Sequence, residues 1–183
     1  MALVEVTADG FGVELDLAYA TPRNFTGAAI YRRPICYLHE DAARALAVAV
    51  SLAAPLGLKL RIFDGFRPTE AQERLWAHTP DPEFLADPRR GSPHSRGVAV
   101  DLTLVGTDGA ALDMGTGFDE FTSRSHHAST DVPPGAQRNR LLLLGLMTAA
   151  GWDHYRNEWW HYQLFRPRAY PLLGDAALPR PMM

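Results

Sequence analysis

The 183-residue sequence contains one cysteine, one lysine and no long apolar run. A single cysteine, Cys36, cannot form an intramolecular disulfide, so we interpret it as a small buried hydrophobic residue. The chain is long enough to bury a core that folds without disulfides or structural metals. Any metal that it binds is therefore expected to serve function rather than folding.

Positive charge is neither abundant nor clustered in this sequence. The 18 basic residues are outnumbered by 21 acidic ones, and Lys59 is the one lysine among them. Nucleic-acid binding is not expected, because backbone phosphates are held by clustered basic side chains. The predominance of arginine over lysine suits bidentate recognition of carboxylates.

Long apolar segments are also missing. No window reaches the roughly 20 consecutive apolar residues that span a bilayer, and the longest candidate, residues 42–56, is interrupted. The first 12 residues lack the positive cluster and the apolar stretch of a secretory signal. The sequence therefore predicts a cytoplasmic protein that does not insert into a membrane.

The sequence shows no internal repeat and no linker, so we expect a single domain over residues 1–183. Apolar periodicity predicts a helix over residues 40–54 and another over about 136–150 that ends at Gly151. The segment from Thr69 to Gln72 fits a capping box that opens a helix ending before Pro80. Predicted strands cover residues 58–63, 97–104, 152–155 and 159–165. The expected class is α+β, with a central, mainly antiparallel sheet, helices around it and the candidate metal site at the sheet.

The strongest chemical signal is the sequence SPHSRGVAVD at residues 92–101. On a strand, alternation would place Gly97, Ala99 and Asp101 on one face and apolar side chains on the other. Two small neighbours leave room in front of Asp101, and His94 lies in the loop that enters the strand. An imidazole and a carboxylate are common zinc ligands, but two ligands do not complete a site.

A second element, Glu158-Trp159-Trp160-His161, supplies a third candidate ligand in His161. Residues three apart on a regular strand point to opposite faces, so Glu158 can share a site with His161 only from a hairpin turn. The sequence places that turn at residues 156–158. Three protein ligands with one position left for water are typical of catalytic zinc, and a nearby glutamate can take a proton from that water.

Taken singly, each of these residues has a simpler interpretation. His94 or His161 also fits a hydrogen-bonded structural histidine. Asp101 fits a turn or cap carboxylate, and Glu158 a solvated charge at a hairpin tip. The combination favours a metal site, while the residues alone leave both interpretations open.

Both motifs resemble those of a known family. The patterns SxHxxGxAxD and ExWH are similar to the zinc motifs of VanX-type D-alanyl-D-alanine dipeptidases, whose wider superfamily includes D-alanyl-D-alanine carboxypeptidases and hedgehog-type domains. Further blocks similar to the dipeptidase branch are Tyr19-Ala20-Thr21, Asn24-Phe25-Thr26-Gly27, Asp64-Gly65-Phe66-Arg67-Pro68, Asp113-Met114-Gly115, Phe118-Asp119 and Ser125-His126-His127.

The resemblance implies a zinc peptidase that hydrolyses D-alanyl-D-alanine and similar D,D-dipeptides. It implies that His94, Asp101 and His161 hold one zinc ion per chain. Glu158 would be the general base for the zinc-bound water and later the proton donor, and Arg67 would stabilise the oxyanion.

The substrate of such an enzyme is a small zwitterion, so its site needs an anion for the ammonium group. The resemblance nominates Asp119 for that role. Ser92 is a weaker candidate for holding substrate, and Tyr19 and Phe118 are candidates for the pocket wall. The expected partner is a small dipeptide, with neither nucleic acid nor membrane; the oligomeric state is left open.

Supporting residues also have two interpretations each. Asp64 would orient Arg67, although Asp64 also fits a turn former and Arg67 a surface ion pair. Asp119 taken alone fits a solvated loop charge. His126 and His127 are expected to support the long polar segment 107–134, which has no clear periodicity and whose length is typical of functional loops.

Two alternative functions share the metal site. The first is a D-alanyl-D-alanine carboxypeptidase that acts on longer cell-wall peptides, against which the missing export signal weighs. The second is a non-catalytic zinc-binding module, against which Glu158 and Arg67 weigh. Antibiotic resistance, recycling of peptidoglycan fragments and nutrient use all stay open as biological roles.

Overall fold

The computed structural model describes residues 3–183, which form an α+β fold. The strands are β1 (Leu3–Val6), β2 (Glu14–Leu15), β3 (Cys36–His39), β4 (Lys59–Asp64), β5 (Ala99–Val105), β6 (Trp152–His154) and β7 (His161–Leu164). The α-helices are α1 (Ala8–Phe11), α2 (Glu40–Ala53), α3 (Thr69–His78) and α4 (Pro134–Ala149). Within residues 3–183, no helix combines the length and the apolar character needed to cross a membrane.

Five strands form the central sheet in the order β2-β4-β5-β7-β6. The pairings of β4 with β5, β5 with β7 and β7 with β6 are antiparallel, whereas β2 pairs parallel with β4. The predicted α+β class with a mainly antiparallel sheet is therefore confirmed. All seven residues of β5 are buried, so any charged side chain on this strand needs a partner inside the protein.

Helices α2 and α4 pack against each other and against the sheet. The predicted apolar faces are buried, including Leu46 on α2 and Leu143 and Met147 on α4. Burial of each such side chain contributes about 1.5–3 kcal/mol. After α4, Gly151 adopts a positive φ of 91°, which confirms the predicted glycine stop.

A second apolar cluster contains Tyr19, Tyr31 and Phe66 together with Leu178 and Met182 from the C-terminal segment. Backbone hydrogen bonds fasten that segment to the rest of the fold, for example from Arg32 N to Met182 O at 2.7 Å and from Leu173 N to Ser95 O at 2.8 Å. The C-terminal residues are thus an integral part of the region around Tyr19.

The predicted capping box at the start of α3 does not form. Thr69 is the first helical residue, and the preceding N-cap position is Pro68, which has no side-chain cap. Gln72, expected to reach back to the cap, is buried and bonds Arg67 and the carbonyl of Ala86 instead. A buried amide without hydrogen-bond partners would cost free energy, so the tertiary bonds of Gln72 are favoured over a cap at the exposed start of the helix.

Strand β5 begins at Ala99, two residues later than predicted. Residues 94–96 form a 3-10 turn, and Gly97 ends this turn with a positive φ of 69°. A Cβ atom at Gly97 would lie 3.1 Å from the backbone nitrogen of His39, so glycine permits close packing against β3. The other predicted strands lie within two residues of their expected bounds, and segment 107–133 is largely irregular, as expected.

Candidate metal centre and active site

The three predicted metal ligands meet at the centre of the sheet. Asp101 of β5 lies directly opposite His161 of β7 in the antiparallel register. His94 lies in the 3-10 turn that precedes β5. One ligand atom from each residue lies within 4.8 Å of the others, and all three side chains are buried. The structure thus brings together three residues that are distant along the chain.

Hydrogen bonds on the outer side of both imidazoles fix their orientation. His94 Nδ1 lies 2.7 Å from the carbonyl oxygen of Gly65, which accepts a hydrogen bond from the ring N–H. His161 Nε2 lies 3.1 Å from Oε1 of Gln163, which accepts in the same way. With the proton on these outer nitrogens, both rings present a lone pair on the inner one. Outward hydrogen bonds of this kind are usual for metal-binding histidines.

The inner atoms form a set of acceptors without a donor. His94 Nε2 lies 3.1 Å from His161 Nδ1, and Asp101 Oδ1 lies 3.3 Å from the former and 3.0 Å from the latter. With both ring protons directed outward, no proton remains between these three atoms, so a cation is required to make the arrangement favourable. Two imidazoles and a carboxylate are a ligand set that zinc accepts, and the residues therefore fit a metal ion.

Glu158 lies in the turn between β6 and β7, as the sequence required. Its backbone N–H donates to Tyr155 O at 3.2 Å, and its carbonyl accepts from His161 N at 3.3 Å. The carboxylate Oε2 lies 3.9 Å from Nδ1 of His161, on the side where a metal would bind. Burial raises the pKa of Glu158 well above its usual range, and the charges of Asp101 and Asp119 raise it further. Such a carboxyl group can accept and hold a proton near neutral pH.

Arg67 is buried beside the metal ligands and contacts four side chains. Its Nε donates to Asp64 Oδ2 at 2.9 Å, and its Nη1 donates to Gln72 Oε1 at 2.9 Å. Its Nη2 lies 3.6 Å from Asp101 Oδ2, and the guanidinium lies over the ring of Tyr19 at 4.9 Å. Asp64 and Gln72 together hold the plane of the guanidinium, so its remaining N–H groups face the cavity in one orientation.

Gly65 allows the segment that carries Arg67 to approach β3. A Cβ atom at Gly65 would lie 2.9 Å from both Cys36 Sγ and the carbonyl oxygen of Tyr37. Cys36 is a free, buried thiol, and burial raises its pKa, which makes it a poor nucleophile. The interpretation of Cys36 as a small hydrophobic residue is therefore confirmed.

A cavity of about 260 Å³ lies over the three ligands. The candidate catalytic groups line it, and residues 82–86 and Tyr155 form a further part of its wall. The polar or charged lining residues are Tyr19, Arg67, Glu83, Ser92, His94, Asp101, Asp119, Tyr155, Glu158, His161 and Gln163. The cavity is of the size that suits a small molecule rather than a folded partner.

Three of the four candidate substrate-binding residues line this cavity. Asp119, at a positive φ of 59°, accepts a hydrogen bond from the Tyr19 hydroxyl at 2.9 Å. Ser92 is buried, and its Oγ accepts from the backbone N–H of His94 at 3.2 Å. Phe118 is not among the lining residues; it stacks on Phe63 with ring centroids 4.8 Å apart and lies behind the cavity wall.

Comparison with known proteins agrees with this geometry. The family model described as D-ala-D-ala dipeptidase matches residues 1–171. The chain belongs to this peptidase family. It is 50% identical over 163 residues to the D-alanyl-D-alanine dipeptidase of Escherichia coli, covering 89% of this chain and 84% of that protein. It is 35% identical over 174 residues to the dipeptidase of Enterococcus faecalis, covering 84% and 86%, and 34% identical over 174 residues to that of Streptomyces coelicolor, again covering 84% and 86%.

Membership in this family makes the protein an enzyme, a metallopeptidase, and the resemblance noted in the sequence is confirmed. The buried His94, Asp101 and His161 cluster is the site in this peptidase that could hold its metal. The family match covers the segments that supply the ligands, Glu158 and Arg67, so the cavity and the family assignment concern the same residues.

Sequence reasoning missed two features of this peptidase site. Gln163, which bonds His161, lies two residues further along β7 and hence on the same strand face; alternation alone could have found it. The wall formed by residues 82–86 carries no periodic signal. It is fastened by tertiary contacts, from the Tyr155 hydroxyl to Glu83 O at 2.8 Å and between His126 Nε2 and Glu83 Oε1 at 3.2 Å.

Proposed function

We propose that the chain, as one domain over residues 1–183, is a zinc-dependent D-alanyl-D-alanine dipeptidase. The observation that carries the proposal is the placement of Glu158 and Arg67 beside the candidate ligands in a small, largely buried cavity. A structural metal site has no need of a buried carboxylate and a buried guanidinium beside it. The names of the relatives support D-alanyl-D-alanine as substrate.

His94, Asp101 and His161 would hold the zinc ion, one per chain. When bound, zinc polarises the scissile carbonyl and lowers the pKa of a water molecule to about 7. The protein contributes the orientation of the ligands, because Gly65 and Gln163 keep the lone pairs of both imidazoles directed inward. Nitrogen and oxygen ligands of this kind favour zinc over calcium or magnesium, which prefer oxygen alone.

Glu158 would be the proton carrier of the reaction. Its carboxylate takes a proton from the attacking water as the water oxygen bonds to the carbonyl carbon. The same proton is delivered to the amide nitrogen when the C–N bond breaks, so one water and one dipeptide give two molecules of D-alanine. The raised pKa of Glu158 in its buried position supports both halves of this transfer.

Arg67 would stabilise the negative charge that develops on the carbonyl oxygen. The guanidinium is permanently charged, and Asp64 and Gln72 hold it in place before the substrate arrives. Donors fixed in advance in a buried site stabilise a transition state more than flexible, solvated donors do.

The two ends of the dipeptide would be recognised by different walls. Asp119 offers a half-buried carboxylate for the ammonium group, and the Tyr19 hydroxyl holds its Oδ2 atom. Ser92 lies on the wall beside His94 and is the candidate for a further contact with the substrate. Phe118 supports the Tyr19 ring, at a centroid distance of 6.0 Å, rather than the substrate itself.

The experiment that tests this proposal measures release of free D-alanine from D-alanyl-D-alanine by the purified protein with one equivalent of zinc. Turnover is expected with zinc, and Glu158→Ala should abolish it while still binding one zinc. A pentapeptide that ends in D-alanyl-D-alanine should be a far poorer substrate, which separates a dipeptidase from a carboxypeptidase. An active Glu158→Ala variant would refute the assigned base, and no release by the zinc-loaded wild type would refute the function.

A further inference from the structure

Arg140 on α4 is a buried charge that does not line the cavity. Its side chain is 1% exposed, and all of its hydrogen-bond partners lie in segment 114–126. Nε donates to Met114 O at 2.6 Å, Nη1 donates to the carbonyls of Arg124 at 2.7 Å and His126 at 3.1 Å, and Nη2 donates to Thr116 Oγ1 at 3.1 Å. One guanidinium therefore fixes four points of a segment that is irregular apart from a 3-10 turn at Ser123–Ser125.

The same segment carries Asp119 between two of these fixed points. Ser125 Oγ donates its only proton to Glu120 O at 2.5 Å, so the 3.0 Å contact between Thr116 Oγ1 and Ser125 Oγ must use the Thr116 proton. Thr116 and Ser125 thus tie the two ends of the turn around Asp119 to each other and to Arg140.

The segment is also bonded to the turn that carries Glu158. Trp159 Nε1 donates to Thr116 Oγ1 at 2.8 Å, and the backbone N–H of Trp159 donates to Ser125 O at 3.0 Å. The N–H of His127 donates to Arg156 O at 3.0 Å. These bonds lie on both sides of Glu158, so the position of that turn depends on the segment that Arg140 holds.

We propose that Arg140 is a positioning residue that sets the relative placement of Asp119 and Glu158. This inference rests on the proposed function, in which the first binds the ammonium group and the second moves the proton. The metal ligands are held mainly by other contacts, from β5, β7 and the Gly65 carbonyl, and only His161 also bonds the Glu158 turn, through its N–H to Glu158 O at 3.3 Å. Loss of Arg140 should therefore impair substrate binding and turnover while sparing the metal.

The kinetic test compares zinc-loaded Arg140→Lys with Arg138→Lys, a change at an exposed arginine on the same helix. Lysine keeps the charge but cannot reach four separate acceptors from one nitrogen. Arg140→Lys should raise KM for D-alanyl-D-alanine and lower kcat, with a combined loss in kcat/KM of about 100-fold. Its zinc dissociation constant should equal that of the wild type, and Arg138→Lys should match the wild type throughout.

A second pair of variants serves if Arg140→Lys does not fold. Thr116→Val removes the hydroxyl that links Arg140 to Trp159, whereas Thr116→Ser keeps it. We expect a loss of kcat in the valine variant and near-normal kcat in the serine variant. Equal activity of the two variants would contradict the proposed link.

Hydrogen exchange gives a readout that needs no turnover. The amides of His127 and Trp159 should exchange faster in Arg140→Lys, whereas the Leu164 amide, which donates to Val98 O at 2.9 Å, should not change. If the wild type released no D-alanine but the amides of His127 and Trp159 exchanged faster in Arg140→Lys, the proposed function would be refuted and the positioning role of Arg140 would be supported. Unchanged KM and kcat, or zinc affinity that falls in parallel with activity, would overturn the role of Arg140.

Discussion

His94 Nε2 and His161 Nδ1 face each other at 3.1 Å, and the other nitrogen of each ring forms a hydrogen bond with an oxygen on the outer side. The two outer oxygens differ in kind. His94 bonds a backbone carbonyl, Gly65 O, which no substitution removes, whereas His161 bonds the side chain of Gln163. The orientation of one ligand is thus fixed by the main chain and that of the other by one replaceable amide.

Replacement of Gln163 by leucine should weaken metal binding. Without the acceptor on Nε2, the His161 ring can carry its proton on Nδ1, the atom that faces Asp101, and the ligand is lost in that tautomer. We expect zinc affinity to fall by about 10–100-fold, as measured by competition with a chelator. Gln163→Glu keeps an acceptor and should retain the affinity. Equal zinc affinity of the leucine variant and the wild type would show that Gln163 does not control the ligand.

Arg67→Lys should lower kcat strongly. Lysine keeps the positive charge but loses the planar fork that Asp64 and Gln72 hold, so the donors no longer face the developing oxyanion. The expected loss in kcat is about 10²–10³-fold at unchanged zinc content. Arg61→Lys is the matched control, because Arg61 lies on β4 and pairs with Glu14 at the partly exposed edge of the sheet. Comparable kcat values for the two variants would remove Arg67 from the reaction.

Asp119→Asn should raise KM for D-alanyl-D-alanine. The amide replaces a charge-assisted bond to the substrate ammonium by a neutral one, and such a bond contributes about 1.5–3 kcal/mol, which is roughly a 10–100-fold change in binding. N-acetylation of the dipeptide removes the ammonium charge, and this should cost Asp119→Asn less affinity than the wild type, so the variant should discriminate less against the N-acetylated dipeptide. Asp108→Asn, in an exposed part of the same long loop, is the control. An unchanged KM in Asp119→Asn would refute ammonium recognition by this carboxylate.

How far the sequence predicts this site depends on which interactions are local. Asp101 and His161 could each be placed on a predicted strand, and Glu158 in a turn from its three-residue spacing to His161, because these patterns are confined to a few residues; the pairing of the two strands comes from the structure. Their chemical roles stay predictions. Gln72 shows the opposite case. Its spacing from Thr69 is that of a capping box, but its side chain forms a tertiary hydrogen bond with Arg67 instead.

The features that the sequence could not supply come from contacts between distant segments. Strand β3 has the sequence CYLH, which shows no alternation, and its paired residues in β1 lie 30 to 36 positions earlier in the sequence. The apolar residues of α4 suffice to predict the helix, but nothing in the neighbouring sequence indicates that Arg140 on this helix is buried. Its partners occur 14 to 26 residues earlier, in a loop without periodicity.

Acid should destabilise the protein partly through His127. Burial, with a smaller contribution from the charge of His154, lowers the pKa of His127 to about 3. The unfolded chain binds a proton below the ordinary pKa of about 6.5 and the folded chain does not, so stability falls as pH falls from about 6.5 toward 3 and is unaffected above that window.

His127→Phe should remove this part of the acid sensitivity. For the metal-free proteins, urea unfolding at pH 7.5 and pH 5 should show a smaller loss in the free energy of unfolding for the variant, by up to about 2 kcal/mol. His78→Phe, at an exposed position on α3, should leave the pH dependence unchanged. An identical pH dependence in His127→Phe and the wild type would show that His127 titrates alike in the folded and unfolded chains.

The most direct test of the metal centre is an anomalous difference map from crystals of the zinc-loaded protein, recorded at the zinc absorption edge. We expect one peak per chain at about 2.0–2.2 Å from His94 Nε2, His161 Nδ1 and a carboxylate oxygen of Asp101, with Glu158 beside it but not bonded to it. A peak bound by other residues, or no peak at these three atoms in a protein that hydrolyses D-alanyl-D-alanine, would contradict this expectation.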